Sequence, residues 1–70
     1  MNSRIGKRVR ILGGMQEFVG KTGTIVDVEK HSHEPAYYRV RLDEPVAIPL
    51  VGLVRDDLWQ GRMLKTIRER

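Results

Sequence analysis

Charged and apolar residues alternate from Gly6 to Leu12, which is the period of a strand that buries one face. Val9 and Ile11 are expected to face the core, with Arg8 and Arg10 pointing outward. The segment from position 37 to 42 alternates in the same way. Its expected core face carries Tyr38, Val40 and Leu42, and its expected outer face carries Tyr37, Arg39 and Arg41.

A second strand is predicted from Thr24 to Lys30, although its apolar positions depart from strict alternation. Ile25 and Val28 are three residues apart, and a β-bulge near Asp27 would bring both to one face. The segment from Gly20 to Gly23 is predicted to be a turn before this strand, because its two glycines accept the positive φ that other residues avoid.

Two more strands are expected in the second half of the chain, at Val46 to Val54 and at Met63 to Ile67. Asp43 to Pro45 is predicted to turn the chain between the third and fourth strands. Asp56 to Leu58 is predicted to form a single 3₁₀ turn. Pro49 removes a ladder donor, so the fourth strand is expected at an edge of the sheet or bent in its middle.

The C-terminal segment has two interpretations. A helix from Asp57 to Arg70 would place Trp59, Met63 and Ile67 at i, i+4 and i+8, with acidic residues at its start and basic residues at its end. Gly61 would cost that helix about 1 kcal/mol relative to alanine. We favour the strand.

The 70 residues, none of them cysteine, make one domain over positions 1–70. Five short strands in so small a chain predict an all-β fold, a small five-stranded barrel whose closure removes exposed strand edges. Met1 to Arg10 lacks the apolar centre of a secretory signal. The longest weakly polar run is far below the ~20 residues of a membrane span. We therefore expect a cytoplasmic protein without membrane contact.

The positive charge is concentrated at the two ends of the chain, although the net charge of +4 is moderate. If the first and fifth strands pair, these residues converge on one patch that can follow a phosphate backbone. The candidate nucleic-acid-binding residues, including one from the adjoining loop, are Arg4, Lys7, Arg8, Arg10, Lys21, Arg62, Lys65, Arg68 and Arg70. The alternative, weighed equally, is solvated strand faces in which Arg39 and Arg41 pair with Asp27 and Glu29.

From Val9 to Val28 the chain resembles the KOW motif of NusG-type transcription factors and of certain large-subunit ribosomal proteins. That motif has a strand, a glycine-containing loop and then the pattern Gly-x-x-Gly-x-apolar-x-x-apolar, matched here by Gly20, Gly23, Ile25 and Val28. The resemblance implies an SH3-like barrel, and RNA or a transcription or translation complex as partner. The match covers about the first half of the chain, and SH3-like barrels serve many unrelated roles.

Aromatic residues supply a second hypothesis, a protein-directed adaptor or assembly subunit. Tyr37 and Trp59 are expected to be exposed, and Phe18 to cap the barrel. Buried or half-buried aromatic anchors are common at protein interfaces. The candidate protein-contact residues are Phe18, Tyr37, Leu58 and Trp59, together with the loop from Met15 to Val19.

Catalysis, metal binding and a cofactor are not expected. His31 and His33 lie in a predicted hairpin loop, and two histidines fall short of the three or four ligands that zinc needs. A third hypothesis is an enzyme, because the chain also resembles the trimethoprim-resistant, plasmid-encoded dihydrofolate reductases, which are single SH3-like barrels with Gly-x-Arg-Val-Arg in the first strand, as at Gly6 here. Their pore motif Val-Gln-Ile-Tyr is missing, because the stretch from Val46 has no glutamine or tyrosine.

Overall fold

Five antiparallel strands form one sheet in the order β4-β3-β2-β1-β5. The structure is a computed structural model that describes residues 4–68. The strands are β1 (Arg8–Ile11), β2 (Thr22–Glu29), β3 (Tyr37–Ile48), β4 (Gly52–Gln60) and β5 (Leu64–Thr66), and two 3₁₀ turns span Gln16–Phe18 and Gly61–Met63. The all-β prediction is confirmed. The sheet has two edges, β4 and β5, so closure into a barrel stays a prediction.

The first strand pairs with the last one, as the patch hypothesis requires. Val9, Arg10 and Ile11 lie opposite Thr66, Lys65 and Leu64. The backbone N–H of Ile67 donates to the carbonyl of Arg8, 2.8 Å away, and extends this pairing toward the chain ends. The C-terminal segment is therefore a strand, and the helix from Asp57 is wrong for the residues that the structure describes.

Ten apolar side chains from all five strands and the first 3₁₀ turn make up the core. Val9, Ile11, Ile25 and Val40 are fully buried. The alternation along β1 predicted this burial for Val9 and Ile11. The remaining core residues are Phe18, Leu42, Val46, Ile48, Trp59 and Leu64. The pairing of β2 with β3 shifts register between Ile25 and Asp27, which confirms the predicted bulge.

The turn expected at Asp43 to Pro45 is wrong, because β3 runs through these residues to Ile48. The pairing of β3 with β4 shifts register between Arg41 and Val46 instead. Such an irregularity accommodates Pro45, which has no N–H to give to the ladder. The chain turns at residues 49–51, before β4 begins.

Residues 56–58, expected to be a 3₁₀ turn, lie within β4, and the 3₁₀ turn follows at Gly61–Met63. Asp56 is tolerated in a strand because its carboxylate accepts a hydrogen bond of 3.1 Å from Arg39 on β3. The carboxylate of Asp57 is exposed and accepts from the backbone N–H of Leu58 at 2.8 Å. The two consecutive aspartates therefore do not interrupt β4.

The two motif glycines have different roles. Gly20 has a φ of +87°, which confirms the turn at that position. Gly23 lies inside β2 without a positive φ, so the predicted reason for this glycine is wrong. A Cβ atom at position 23 would lie 2.4 Å from the carbonyl oxygen of Arg41. Glycine is therefore needed here because β2 and β3 approach each other closely.

Candidate functional site

Two cations face each other across the pairing of β1 with β5. Arg10 and Lys65 are direct partners, and both residues are exposed. Their position falls on a hydrogen-bonded pair, in which the Cα atoms are about 5.5 Å apart. Neither side chain forms an ion pair with any of residues 4–68. Like charges directly opposite each other destabilise a sheet, so this arrangement costs folding energy.

Two further cations lie near this pair, toward the chain ends. Lys7 directly precedes β1, and Arg68 follows Ile67, whose backbone N–H still donates to the carbonyl of Arg8. Lys7 and Arg68 are both exposed. Each of the two lies three residues along the chain from Arg10 or Lys65, at most about 10 Å away. We call Lys7, Arg10, Lys65 and Arg68 the cationic strand pair.

Arg8 shares the outer face with Arg10, but its charge is engaged within the sheet. Its guanidinium donates to both carboxylate oxygens of Asp43, at 2.5 and 2.8 Å. The hydroxyl of Thr22 donates to the same carboxylate at 2.5 Å. The hydrogen bond from Arg8, followed by that from Thr22, lowers the pKa of Asp43 to about 2. Arg8 thus links β1 to β3 across β2.

The other predicted basic residues are spread over the surface. The Arg4 guanidinium lies over the ring of Tyr38, 4.7 Å from its centroid. Lys21 lies at the other end of β1, where its carbonyl accepts from the N–H of Ile11. Arg62 lines a cleft on another side of the domain. Arg70 is outside the described residues. The structure therefore gathers four of the nine residues around the β1–β5 pairing, with Arg8 beside them.

Acidic partners balance the charge on β3. Arg39 donates to Glu29 at 3.3 Å and to Asp56 at 3.1 Å, and its hydrogen bond to Glu29 is the main cause that raises the pKa of Arg39. Of the pairs expected between Arg39 or Arg41 and Asp27 or Glu29, the structure forms the one between Arg39 and Glu29. Asp27 instead accepts from the backbone N–H of Val28, and no ion pair joins it to Arg41. Within residues 4–68, unbalanced positive charge on the sheet lies mainly at the β1–β5 end.

All four predicted protein-contact residues line one cleft of about 300 Å³. The cleft lies between the first 3₁₀ turn, the start of β3, the end of β4 and the second 3₁₀ turn. Its lining is mainly apolar, with one acid and one base at the rim: Gly14, Met15, Phe18, Tyr37, Asp57, Leu58, Trp59, Gln60, Arg62 and Met63.

The two largest rings form the floor of this cleft. Trp59 is only 5% exposed, so its predicted exposure is wrong. It lies opposite Tyr38 in the sheet and meets Phe18 edge to face, with ring centroids 5.2 Å apart. Phe18 is 2% exposed and covers this end of the core, as expected of a cap. Tyr37 is half-buried, and its hydroxyl accepts from the Gln60 amide at 3.2 Å.

Sequence reasoning missed an apolar hairpin tip between β3 and β4. The side chains of Leu50, Val51 and Leu53 are 107%, 70% and 65% exposed. Leu50 also has a φ of +68°, a conformation that leucine rarely adopts. The weakly polar run from Val46 to Val54 carries this signal, and the structure divides that run between the end of β3, the turn and the start of β4. We call Leu50, Val51 and Leu53 the hairpin tip.

No metal centre is formed among the described residues 4–68, where no three histidine, aspartate or glutamate side chains gather. The His31 imidazole lies 4.0 Å from the Glu29 carboxylate, a contact of two groups only. Over the same range, no helix has the length and apolarity needed to cross a membrane.

The chain matches no protein-family model, no curated protein and no solved structure. The resemblance to KOW-type and SH3-like proteins therefore stays a prediction from the residues that carry it.

Proposed function

We propose that this protein is a non-catalytic module that binds nucleic acid through the cationic strand pair. The observation that carries the proposal is the direct opposition of Arg10 and Lys65 on neighbouring strands. A sheet that places like charges face to face has lower stability unless an anion lies between them. Local departures from stability rules of this kind are expected at functional sites.

A chain of phosphates fits this surface better than a single anion does. Four exposed cations gather at this end of the sheet, because Lys7 lies just before β1 and Arg68 shortly after β5, beside the pair formed by Arg10 and Lys65. Each phosphate that a lysine or arginine neutralises releases condensed counterions, which provides affinity without sequence readout. The KOW resemblance favours the same ligand class, RNA or DNA or a complex that handles them, and a cytoplasmic location accords with it.

The test is fluorescence anisotropy of labelled single- and double-stranded RNA and DNA, titrated with protein at several salt concentrations. We expect log K to fall with log salt by about 0.7 to 0.9 per phosphate contact. Lys65→Glu should weaken binding and reduce that slope by about one. Lys30→Glu changes the net charge equally at an exposed site beyond β2, and should have a much smaller effect. Absence of binding to all four probes at low salt would refute the proposal.

A protein-directed adaptor is the second candidate, and the cleft favours it. Clefts with apolar floors and a few polar rim groups suit an inserted side chain of a partner. Here the floor is Phe18 and Trp59, and the rim carries Asp57 and Arg62. An arrayed peptide library probed with labelled protein tests this role. Peptide binding that is lost in Met15→Asp and retained in Lys65→Glu would assign partner binding to the cleft.

A further inference from the structure

The indole N–H of Trp59 has no partner in the fold. The side chain is only 5% exposed, yet among residues 4–68 no acceptor receives a hydrogen bond from this N–H. Its nitrogen still reaches solvent, because no fully enclosed side-chain donor in the described part of the chain lacks a partner. Buried tryptophans usually donate this hydrogen bond, so an unused donor at the wall of a cleft calls for a ligand.

Gly14 keeps this donor open. It has a φ of +98°, and a Cβ atom at position 14 would lie 3.2 Å from Nε1 of Trp59. A side chain at this position would therefore crowd and cover the N–H. Gly14 and Trp59 both line the cleft of about 300 Å³. The free donor therefore opens into the cleft on the Gly14 side.

An unpaired carboxylate lines the same cleft. Asp57 and Trp59 are two residues apart on β4, opposite Val40 and Tyr38, which share one face of β3. Their side chains therefore lie on one side of the sheet, about 7 Å apart along the strand. The Asp57 carboxylate forms no ion pair within residues 4–68, and its one hydrogen bond comes from the N–H of Leu58. The cleft thus offers a donor beside an acceptor with a free oxygen.

The pairing edge of a guanine base matches these two groups. It carries the O6 acceptor next to two donors, N1–H and the N2 amino group. O6 can accept from an indole while the two neighbouring donors bind a carboxylate, which only accepts. Adenine, cytosine and uracil each present one donor group on this edge beside acceptors that an ionised carboxylate repels. A cleft of about 300 Å³ is at the small end of ligand pockets, which suits a single base.

Arg62 connects the cleft with the cationic strand pair. It is exposed, lines the cleft and lies three residues before Lys65, no more than about 11 Å along the chain. A single strand bound at Lys65 can therefore place a phosphate at Arg62 and turn the attached base into the cleft. Unpaired bases can be splayed out in this way, whereas a duplex has its pairing edges occupied.

We propose that the cleft binds one unpaired guanine of a single-stranded nucleic acid, with Trp59 donating to O6 and Asp57 accepting from N1–H and the N2 amino group. The inference rests on the proposed function, because the cationic strand pair holds the phosphates. It adds base selectivity to a surface that otherwise recognises charge alone. A guanine in the cleft also excludes the adaptor role at that place.

The test is fluorescence anisotropy with short single-stranded RNA probes of equal length. One probe is all uridine, and the others carry one central guanosine, adenosine or cytidine. The guanosine probe should bind roughly tenfold more tightly than the others, as expected of a bidentate base contact. This ratio should persist as salt is raised, whereas the affinity of every probe falls. A complementary strand annealed to the guanosine probe should remove the preference.

Two variants remove the groups that recognise the base. Trp59→Phe keeps a ring against Phe18 but removes the N–H, and Asp57→Asn removes the carboxylate at an exposed position. Each should lose the guanosine preference. Asp27→Asn is the matched control and should keep it, because Asp27 is also exposed and accepts from the next backbone N–H at 2.8 Å, but lies outside the cleft. Circular dichroism melting checks folding, and Asp57→Asn decides the matter if Trp59→Phe does not fold.

The outcomes separate this site from the proposed function. Equal affinity for the four probes, with Lys65→Glu still weakening all of them, overturns the guanine site alone. Failure of every probe to bind at low salt overturns both. A guanosine preference that survives in folded Asp57→Asn also overturns the guanine site. So does a peptide that binds the cleft and is not displaced by the guanosine probe, because it would assign the cleft to a protein partner.

Discussion

Replacement of Gly23 by alanine tests how closely β2 approaches β3. The glycine is buried in β2, where its register partners are Val9 on β1 and Leu42 on β3. A Cβ atom here would lie 2.4 Å from the carbonyl oxygen of Arg41 and 2.7 Å from Cγ1 of Val40. The nearer atom belongs to the backbone of a central strand, so it cannot rotate away as a flexible side chain would.

The cost follows from what must move. Overpacking of a well-packed core costs about 1 to 3 kcal/mol, and more when backbone has to shift. Separation of β2 from β3 would also stretch ladder hydrogen bonds, each worth about 1 kcal/mol net. We expect Gly23→Ala to lower the free energy of unfolding by about 3 kcal/mol. A single core of this size rarely supplies more than 3 to 5 kcal/mol, so the variant should retain at most about 2 kcal/mol and be marginally stable at room temperature.

Urea denaturation followed by Trp59 fluorescence measures the effect, because this indole is buried against Phe18. Gly13→Ala is the matched control, since its Cβ would lie 3.5 Å from Sδ of Met63 at an ordinary contact distance. It should be neutral or stabilise by about 0.4 to 1 kcal/mol. Gly20→Ala has open space but a φ of +87°, so strain of about 1 to 2 kcal/mol is expected. A Gly23→Ala protein as stable as Gly20→Ala would refute the close-approach argument.

Two further predictions concern single side chains. Folding lowers the pKa of Asp43 from 3.8 to about 2. The ion pair between Asp43 and Arg8 therefore stabilises the fold fully above pH 3.8, and this stabilisation is lost as the pH falls to about 2. The Asp43 carboxylate is 40% exposed and screened by solvent, so we expect the ion pair to contribute at most about 1 kcal/mol to the free energy of unfolding. The natural protein should show this loss as a lower urea midpoint at acidic pH, and Asp43→Asn should not show it. Leu50→Asn should raise the unfolding free energy of dilute protein by about 1 kcal/mol, because asparagine tolerates a positive φ. A lower urea midpoint for Leu50→Asn would show that Leu50 is not strained.

Elements defined by local alternation were predictable. β1 follows from the spacing of Val9 and Ile11, and the bulge follows from the three-residue gap between Ile25 and Val28. In both cases, the residues that specify the geometry are near neighbours in sequence. The cost of Gly61 in a helix favours a strand over a helix near the C-terminus. In the structure, Gly61 begins the 3₁₀ turn that precedes the strand at Leu64–Thr66.

Features that depend on distant residues were not predictable. Pro45 usually signals a turn, and only the shifted pairing with β4 shows that a strand accommodates it. The burial of Trp59 depends on Phe18, which approaches from a loop far away in sequence. Arg8 looked available for phosphate until folding brought it to Asp43, which is 35 residues away. Charge counting therefore overestimated the basic surface, since it cannot see which cations are already paired.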